Sequence, residues 1–130
     1  MREDIKTEEP MTTEEIAKQV VHFTTKQAWR EAVDTLYATD IVSVEAEGDS
    51  PEMRGIDAIY GKIDWWTNAM EVHDCKVSGP FVAHDRFVVQ YDMDVTDRES
   101  RKRFQVSEVG VYTVKDGKIV REEFLPRIDD

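Results

Sequence analysis

The dipeptide Asp116-Gly117, set between a Val/Tyr/Thr-rich run ending at Val114 and the segment Lys118–Phe124, constrains this chain more than any other feature. Asp-Gly supplies the positive φ values that a two-residue type I′ turn requires, so the flanking segments must pair as antiparallel strands. The chain therefore closes on a β-hairpin, whereas it begins with helical periodicity. Thr12 or Thr13, followed by Glu14-Glu15, reads as an N-cap with an acidic first turn, and Ile16, Val20 and Phe23 then recur at helical spacing to about Thr24. Ala28, Trp29, Ala32, Val33, Leu36 and Tyr37 form a second apolar stripe. Two short helices separated by so brief a break make an αα-hairpin.

Ile41 to Glu47 alternates, with Val42, Val44 and Ala46 on one side and Ser43, Glu45 and Glu47 on the other, until Gly48-Asp49-Ser50-Pro51 breaks it. A third helix is expected from about Gly55 to Met70, its broad face made by Ile56, Ile59, Tyr60, Ile63, Trp66 and Met70, with Trp65 at the edge. Strands then follow without interruption: Val72–Gly79, Arg86–Asp97, Phe104–Val114 and Lys118–Leu125. The joints fall at Gly79-Pro80, at 97–102 and at Asp116-Gly117, with Phe81-Val82 as a short extra piece before a His84-Asp85 turn. Three N-terminal helices followed by antiparallel strands, without βαβ alternation, predict an α+β domain. Its helices cover one face of a strongly curved, mainly antiparallel sheet.

A chain of 130 residues suits one domain that buries a core without disulfides or a structural metal. Residues 1–11, rich in Glu and Asp, read as a flexible acidic extension, and 12–130 as the single domain. With 17 Lys and Arg against 28 Asp and Glu, the formal charge is −11, which repels phosphate backbones and anionic lipid. Neither nucleic acid nor membrane is an expected partner. No uncharged apolar stretch approaches the ~20 residues of a spanning helix. The polar start and the single Cys75 point to a reducing, cytoplasmic setting. Cys75 reads as a small buried hydrophobe, and neither a CxxC spacing nor a second suitably placed His is present, so no metal or other cofactor is expected.

The order of helix hairpin, strand, helix and long-stranded meander ends in Glu108-Val109-Gly110-Val111-Tyr112-Thr113-Val114-Lys115-Asp116-Gly117-Lys118-Ile119-Val120-Arg121-Glu122-Glu123-Phe124. Together with Leu36–Val42, Arg54–Ile59 and Phe87–Val95, it resembles the SnoaL-like branch of the nuclear transport factor 2-like superfamily, over about residues 12–125. The resemblance implies a cone-shaped α+β barrel in which helices and a concave sheet enclose a pocket, often with dimerisation through the sheet. It does not fix a reaction, since the superfamily holds cyclases, isomerases, epoxide hydrolases, dehydratases and proteins that only bind. The aspartate that the cyclases of this branch use as acid and base has no matching motif here.

Alternation along the strand from Phe104 sets Phe104, Val106, Glu108, Gly110, Tyr112 and Val114 against Gln105, Ser107, Val109, Val111 and Thr113. The first set is the better candidate for the interior. A carboxylate there is partly desolvated, so its pKa rises toward the range a general acid or base needs near neutrality. Glu108 is thus the first catalytic candidate, the alternatives being an ion pair with an Arg or a place in the open mouth of the cone. His73, on a face with Cys75 and Val77, is the second, as a proton partner or else as a hydrogen-bonded filler. Tyr91 and Tyr112 offer hydrogen bonds, and Tyr37, Trp65 and Trp66 offer rigid walls for a flat or cyclic apolar ligand. Glu122 shares its face with Val120 and Phe124, and Glu123 with Ile119 and Leu125. The sequence does not choose between the two, and Glu123 stands as a ligand-binding candidate. A second sheet face bearing Val109 and Val111 predicts a homodimer.

The functional expectation is a small-molecule-binding protein, with cofactor-independent acid/base chemistry of the isomerase, cyclase or hydrolase type on an apolar cyclic or carbonyl compound. The alternative is a non-enzymatic ligand-binding or dimerisation module. An open cavity reaching Glu108 favours the first, and a collapsed core with Glu108 in a salt bridge favours the second.

Overall fold

Thr12 begins the first helix through a reciprocal capping box. Its Oγ1 accepts from the Glu15 amide at 3.1 Å, while Glu15 Oε1 accepts from the Thr12 amide at 2.9 Å. The computed structural model describes residues 10–45 and 52–125. The expected extension over 1–9, the end of the first strand at 46–47, the break at 48–51 and the last residues, 126–130, lie outside them. The described elements are α1 (Thr13–Thr25), α2 (Trp29–Leu36), β1 (Tyr37–Val44), β2 (Glu52–Arg54), α3 (Ile56–Ala69), β3 (Met70–Ala83), β4 (Arg86–Asp97), β5 (Arg103–Lys115) and β6 (Lys118–Leu125).

The six strands form one sheet in the order β2-β1-β6-β5-β4-β3, antiparallel except where β1 runs parallel to β6. The expectation of three N-terminal helices is corrected in one respect: α3 follows β1 and β2. The first strand also starts earlier than expected, because Tyr37 already leaves α2 with an extended backbone (φ −93°, ψ 142°). Gly79-Pro80 does not end a strand either. β3 carries through it to Ala83 with a register shift between Ser78 and Phe81, which an edge strand tolerates.

Phe87, Val89, Tyr91, Met93 and Val95 of β4, with Tyr112 and Val114 of β5, make the buried face of the sheet. Ile16, Ala17 and Val20 of α1, Val33 and Leu36 of α2, and Ile59 of α3 pack onto it. The expected turn is present, with Asp116 at φ 53° and Gly117 at φ 78° joining paired Lys115 and Lys118. A Cβ at residue 117 would run into Pro10, so the start of the described chain lies against this turn, and Met11 packs on the core.

Two register shifts decide which side chains face inward. In β3, Val72 pairs with Val95 and Asp74 with Asp94, which leaves His73 as an extra residue. In β6, Ile119 pairs with Val114 and Arg121 with Thr113, which leaves Val120 as the extra one. Each acts as a β-bulge and reverses the alternation beyond it. Among the described residues no helix is long and apolar enough to cross a membrane.

Candidate functional site

Helices and sheet line an open cavity of about 250 Å³. Its upper wall is apolar, built from Val20 of α1, Trp29, Ala32 and Val33 of α2, Ile63 and Trp66 of α3, and Met93 of β4. Trp29 meets Tyr91 edge to face, with ring centroids 6.1 Å apart. Trp66 sits deeper than its neighbour Trp65, which stands at the rim with 61% of its surface exposed. Both tryptophans line the opening.

The floor is polar and centres on Glu122, which is only 2% exposed. Tyr37 donates its hydroxyl proton to Glu122 Oε1, and Ser43 Oγ donates to Oε2 at 2.7 Å. Lys62 Nζ donates to the same Oε2 at 3.1 Å, to Ser43 Oγ at 3.1 Å and to Glu45 Oε2 at 2.6 Å. The inward face of β1 is therefore Ile41 and Ser43, continued by Glu45, while Val42 and Val44 take the outer side. Lys62 reaches the floor because α3 places it on the stripe of Ile59, Ile63 and Trp66, three or four residues apart. Its ammonium lies 4.8 Å from the centre of the Phe124 ring. Burial works against that charge, but Glu122 and Glu45 outweigh it and hold the Lys62 pKa above the ordinary lysine value. Burial, reinforced by the charge of Glu122 and the hydrogen bond to it, pushes the Tyr37 hydroxyl well up.

Tyr91 and Tyr112 join hydroxyl to hydroxyl at 2.6 Å across β4 and β5. Burial raises both pKa values, so each stays a neutral phenol. Tyr112 stacks on Phe87 with centroids 4.8 Å apart. Its ring folds back over Gly110, where a Cβ would come within 2.9 Å of the Tyr112 hydroxyl. The missing side chain at 110 is what lets Tyr112 lie flat enough to meet Tyr91.

Glu108 is the cross-strand partner of Tyr91 and lines the same cavity. Among the described residues it has no hydrogen bond or ion pair to hold its charge. Burial comes first in raising its pKa, to about 7, with the like charges of Glu45 and Glu122 adding to the rise and Lys62 opposing it. Glu108 is thus a carboxyl group on the cavity wall that exchanges its proton near neutrality. The acids around it are differently placed, Glu122 inside a hydrogen-bonded cluster and Glu45 paired with Lys62.

The structure brings together Glu108, Tyr37, Trp65, Trp66, Tyr91 and Tyr112 of the sequence candidates, and it leaves two outside. His73, displaced by its bulge, is exposed on the outer side with Nε2 2.7 Å from Thr96 Oγ1. Glu123 turns outward and pairs with Arg121 Nε at 3.7 Å, and Glu122 occupies the floor instead. The bulge at Val120 is the reason, since Ile119 and Glu122 now point to the same side despite their odd spacing. Sequence reasoning also passed over Lys62, Ser43 and Glu45. The signal for Lys62 was its position inside an apolar helical stripe, where a cation needs a buried partner. Among the described residues no group of three or more His, Cys, Asp or Glu side chains is arranged to hold a metal ion.

Residues 11–125 match the sequence profile of the SnoaL-like domain. Among solved structures, a Mesorhizobium loti protein, provisionally named a SnoaL-like polyketide cyclase, is 39% identical at a TM-score of 0.83, over 88% of this chain and 98% of that one. A nuclear transport factor 2-like protein of Burkholderia thailandensis shares the fold at 20% identity and a TM-score of 0.76, over 88% of this chain and 90% of its own. So does a Jannaschia protein, also provisionally named a SnoaL-like polyketide cyclase, at 16% identity and a TM-score of 0.69, over 85% and 84%. No protein of curated function matches the chain in sequence.

Proposed function

The chain belongs to the SnoaL-like domain family, and from that premise we propose that it binds a small, largely apolar cyclic or carbonyl compound and acts on it by acid/base chemistry at Glu108. The observation that carries this reading is a carboxyl group with no ion-pair partner among the described residues and a pKa of about 7, on the wall of an aromatic-lined cavity. As a carboxylate, Glu108 takes a proton from carbon beside a carbonyl; as an acid, it returns one to the developing product. The tyrosine pair supplies the complementary group. One of its two hydroxyl protons bridges Tyr91 and Tyr112, and the other, beside Thr24 in the free protein, turns to a carbonyl oxygen as negative charge builds there. The Mesorhizobium loti relative is provisionally named both a SnoaL-like polyketide cyclase and a carbohydrate phosphatase, and the first of these names accords with this reading. An open cavity that reaches Glu108, which no described residue pairs, favours it over a purely structural module.

A thermal-shift titration with 1-tetralone and 2-cyclohexenone tests the pocket. A ligand that binds only the folded state must raise Tm in a concentration-dependent way. A flat response to both ketones, and to lactones and aromatic fragments of similar size, from folded protein removes the reading.

Pairing of two copies through the outer sheet face belongs to the same proposal. Val88, Val109 and Val111 are half-buried on that face, and Leu125, paired with Val109, is 44% exposed. Sedimentation equilibrium is expected to return a dimer for the native chain and a monomer for Val111→Glu. A monomeric native protein ends this part of the proposal.

A further inference from the structure

The donors and acceptors of the cavity floor are unequally committed. Lys62 has three N–H bonds, and three acceptors take them at 2.6 to 3.1 Å. Tyr37 and Ser43 spend their protons on Glu122. The one cation of the floor has nothing left to offer an anionic ligand. What stays open among the described residues is acceptor capacity: both oxygens of Glu108 and Oε1 of Glu45. Three carboxyl groups, Glu45, Glu108 and Glu122, share the cavity with that ammonium, and among the described residues no other Lys, Arg or His lines it. Trp66, Tyr112 and Phe124 line the same space, and Phe124 already carries a cation, the Lys62 ammonium.

We infer that the pocket selects ligands whose apolar ring bears a protonated amine, and that it turns carboxylates away. The inference rests on the pocket reading given above and specifies its ligand class. An ammonium group seated between Glu108 and Glu45 uses the two acceptors that the protein leaves unfilled, and its ring lies against the tryptophan wall. A carboxylate in the same place meets two acids and a saturated lysine. The charge of −11 on the whole chain favours the approach of the same ligands.

Proton linkage follows from the surroundings of Glu108. It is faced by Tyr37 and Glu45 from β1 and its end, Lys62 from α3, Tyr91 from β4, Tyr112 on its own strand and Glu122 from β6, whereas α1 and α2 present no ionisable side chain to the cavity. A bound ammonium holds Glu108 ionised, so binding below its pKa releases a proton. Affinity for an amine then rises by up to about tenfold per pH unit below neutrality and levels above it.

Calorimetry with 2-phenylethylamine, 2-phenylethanol and phenylacetate tests the inference on one ring with three head groups. At pH 8 the amine is expected to bind about tenfold or more tighter than the alcohol, with phenylacetate silent. Glu108→Gln is expected to erase the amine-over-alcohol ratio and the pH dependence together. Phenylacetate binding as tightly as the amine overturns the inference. So does an amine preference that persists in Glu108→Gln, which would assign it to the overall charge. If the alcohol binds as well as the amine, the pocket stands and its charge selection falls. Silence from all three probes removes both the pocket and the inference.

Discussion

Glu108→Gln is expected to lower turnover of a substrate by about 10²–10⁴-fold, the usual contribution of a positioned acid or base, while the protein still folds. Glutamine has the shape of glutamate and keeps the hydrogen-bonding edge, but it neither takes nor releases a proton near neutrality. The same substitution has a second signature that needs no substrate. In the unfolded chain Glu108 titrates at the ordinary carboxylate value, and in the folded protein at about 7. Between those values the folded state holds a proton that the unfolded state has released. The stabilisation is therefore complete at acid pH and is lost as pH rises through about 7, with a magnitude on the order of 3 kcal/mol. Urea unfolding at pH 5 and pH 8 is expected to show this loss in the native chain and a smaller one in Glu108→Gln, which ends up the more stable of the two at pH 8. An identical pH dependence in both would mean that Glu108 is not the group titrating. Turnover within a few-fold of native would take it out of the chemistry.

Lys62→Met is expected to destabilise the fold by about 3–5 kcal/mol, the range for stranding one partner of a buried ion pair. Methionine fits the apolar stripe of α3, so the loss comes from what remains below it. Glu122, 2% exposed, keeps its bonds from Tyr37 and Ser43 but loses its only cation among the described residues. Adding Glu122→Gln removes the stranded charge while leaving an amide oxygen for the Tyr37 hydroxyl. The double variant is expected to recover more than half of the loss, so that the two substitutions are strongly non-additive. Chemical denaturation of the native chain, both single variants and the double variant measures this coupling. Additive losses, or a loss below about 1 kcal/mol for Lys62→Met, would mean that the floor is not held by its charges.

Where strands alternate without interruption, the sequence showed which residues share a face. β5 is regular from Phe104 to Thr113, so simple alternation put Glu108 and Tyr112 on one face, although apolar residues on both faces left open which of them turns inward. His73 and Glu123 were misplaced for one shared physical cause. A bulge adds one residue to a strand without altering the composition on either side of it, and period-two reading then assigns everything beyond it to the wrong face. Lys62 was missed for another reason. An isolated lysine on an amphipathic helix reads as solvated, and its partners Glu45 and Glu122 lie 17 and 60 residues away in sequence. The end of α2 was blurred because Tyr37 belongs by spacing to the helical stripe and by backbone to β1. The hairpin at Asp116-Gly117 was legible in full, since its turn chemistry is local.

The strand order also sets a timetable for the ribosome. β1 enters the sheet between β2 and β6 alone, and β2 borders only β1, so the first-made third of the sheet joins the rest only through the strand made last. A nascent chain that has not yet emerged through residue 123 can complete α1, α2 and the meander of β3, β4 and β5, but Tyr37, Ser43 and Lys62 then wait without Glu122. Synthesis proceeds at about 5–20 residues per second, so these groups stay open to water for seconds before the floor can close. The pocket thus depends on β6, the last of the six strands to be made, and its polar floor is a seal that only this strand can set.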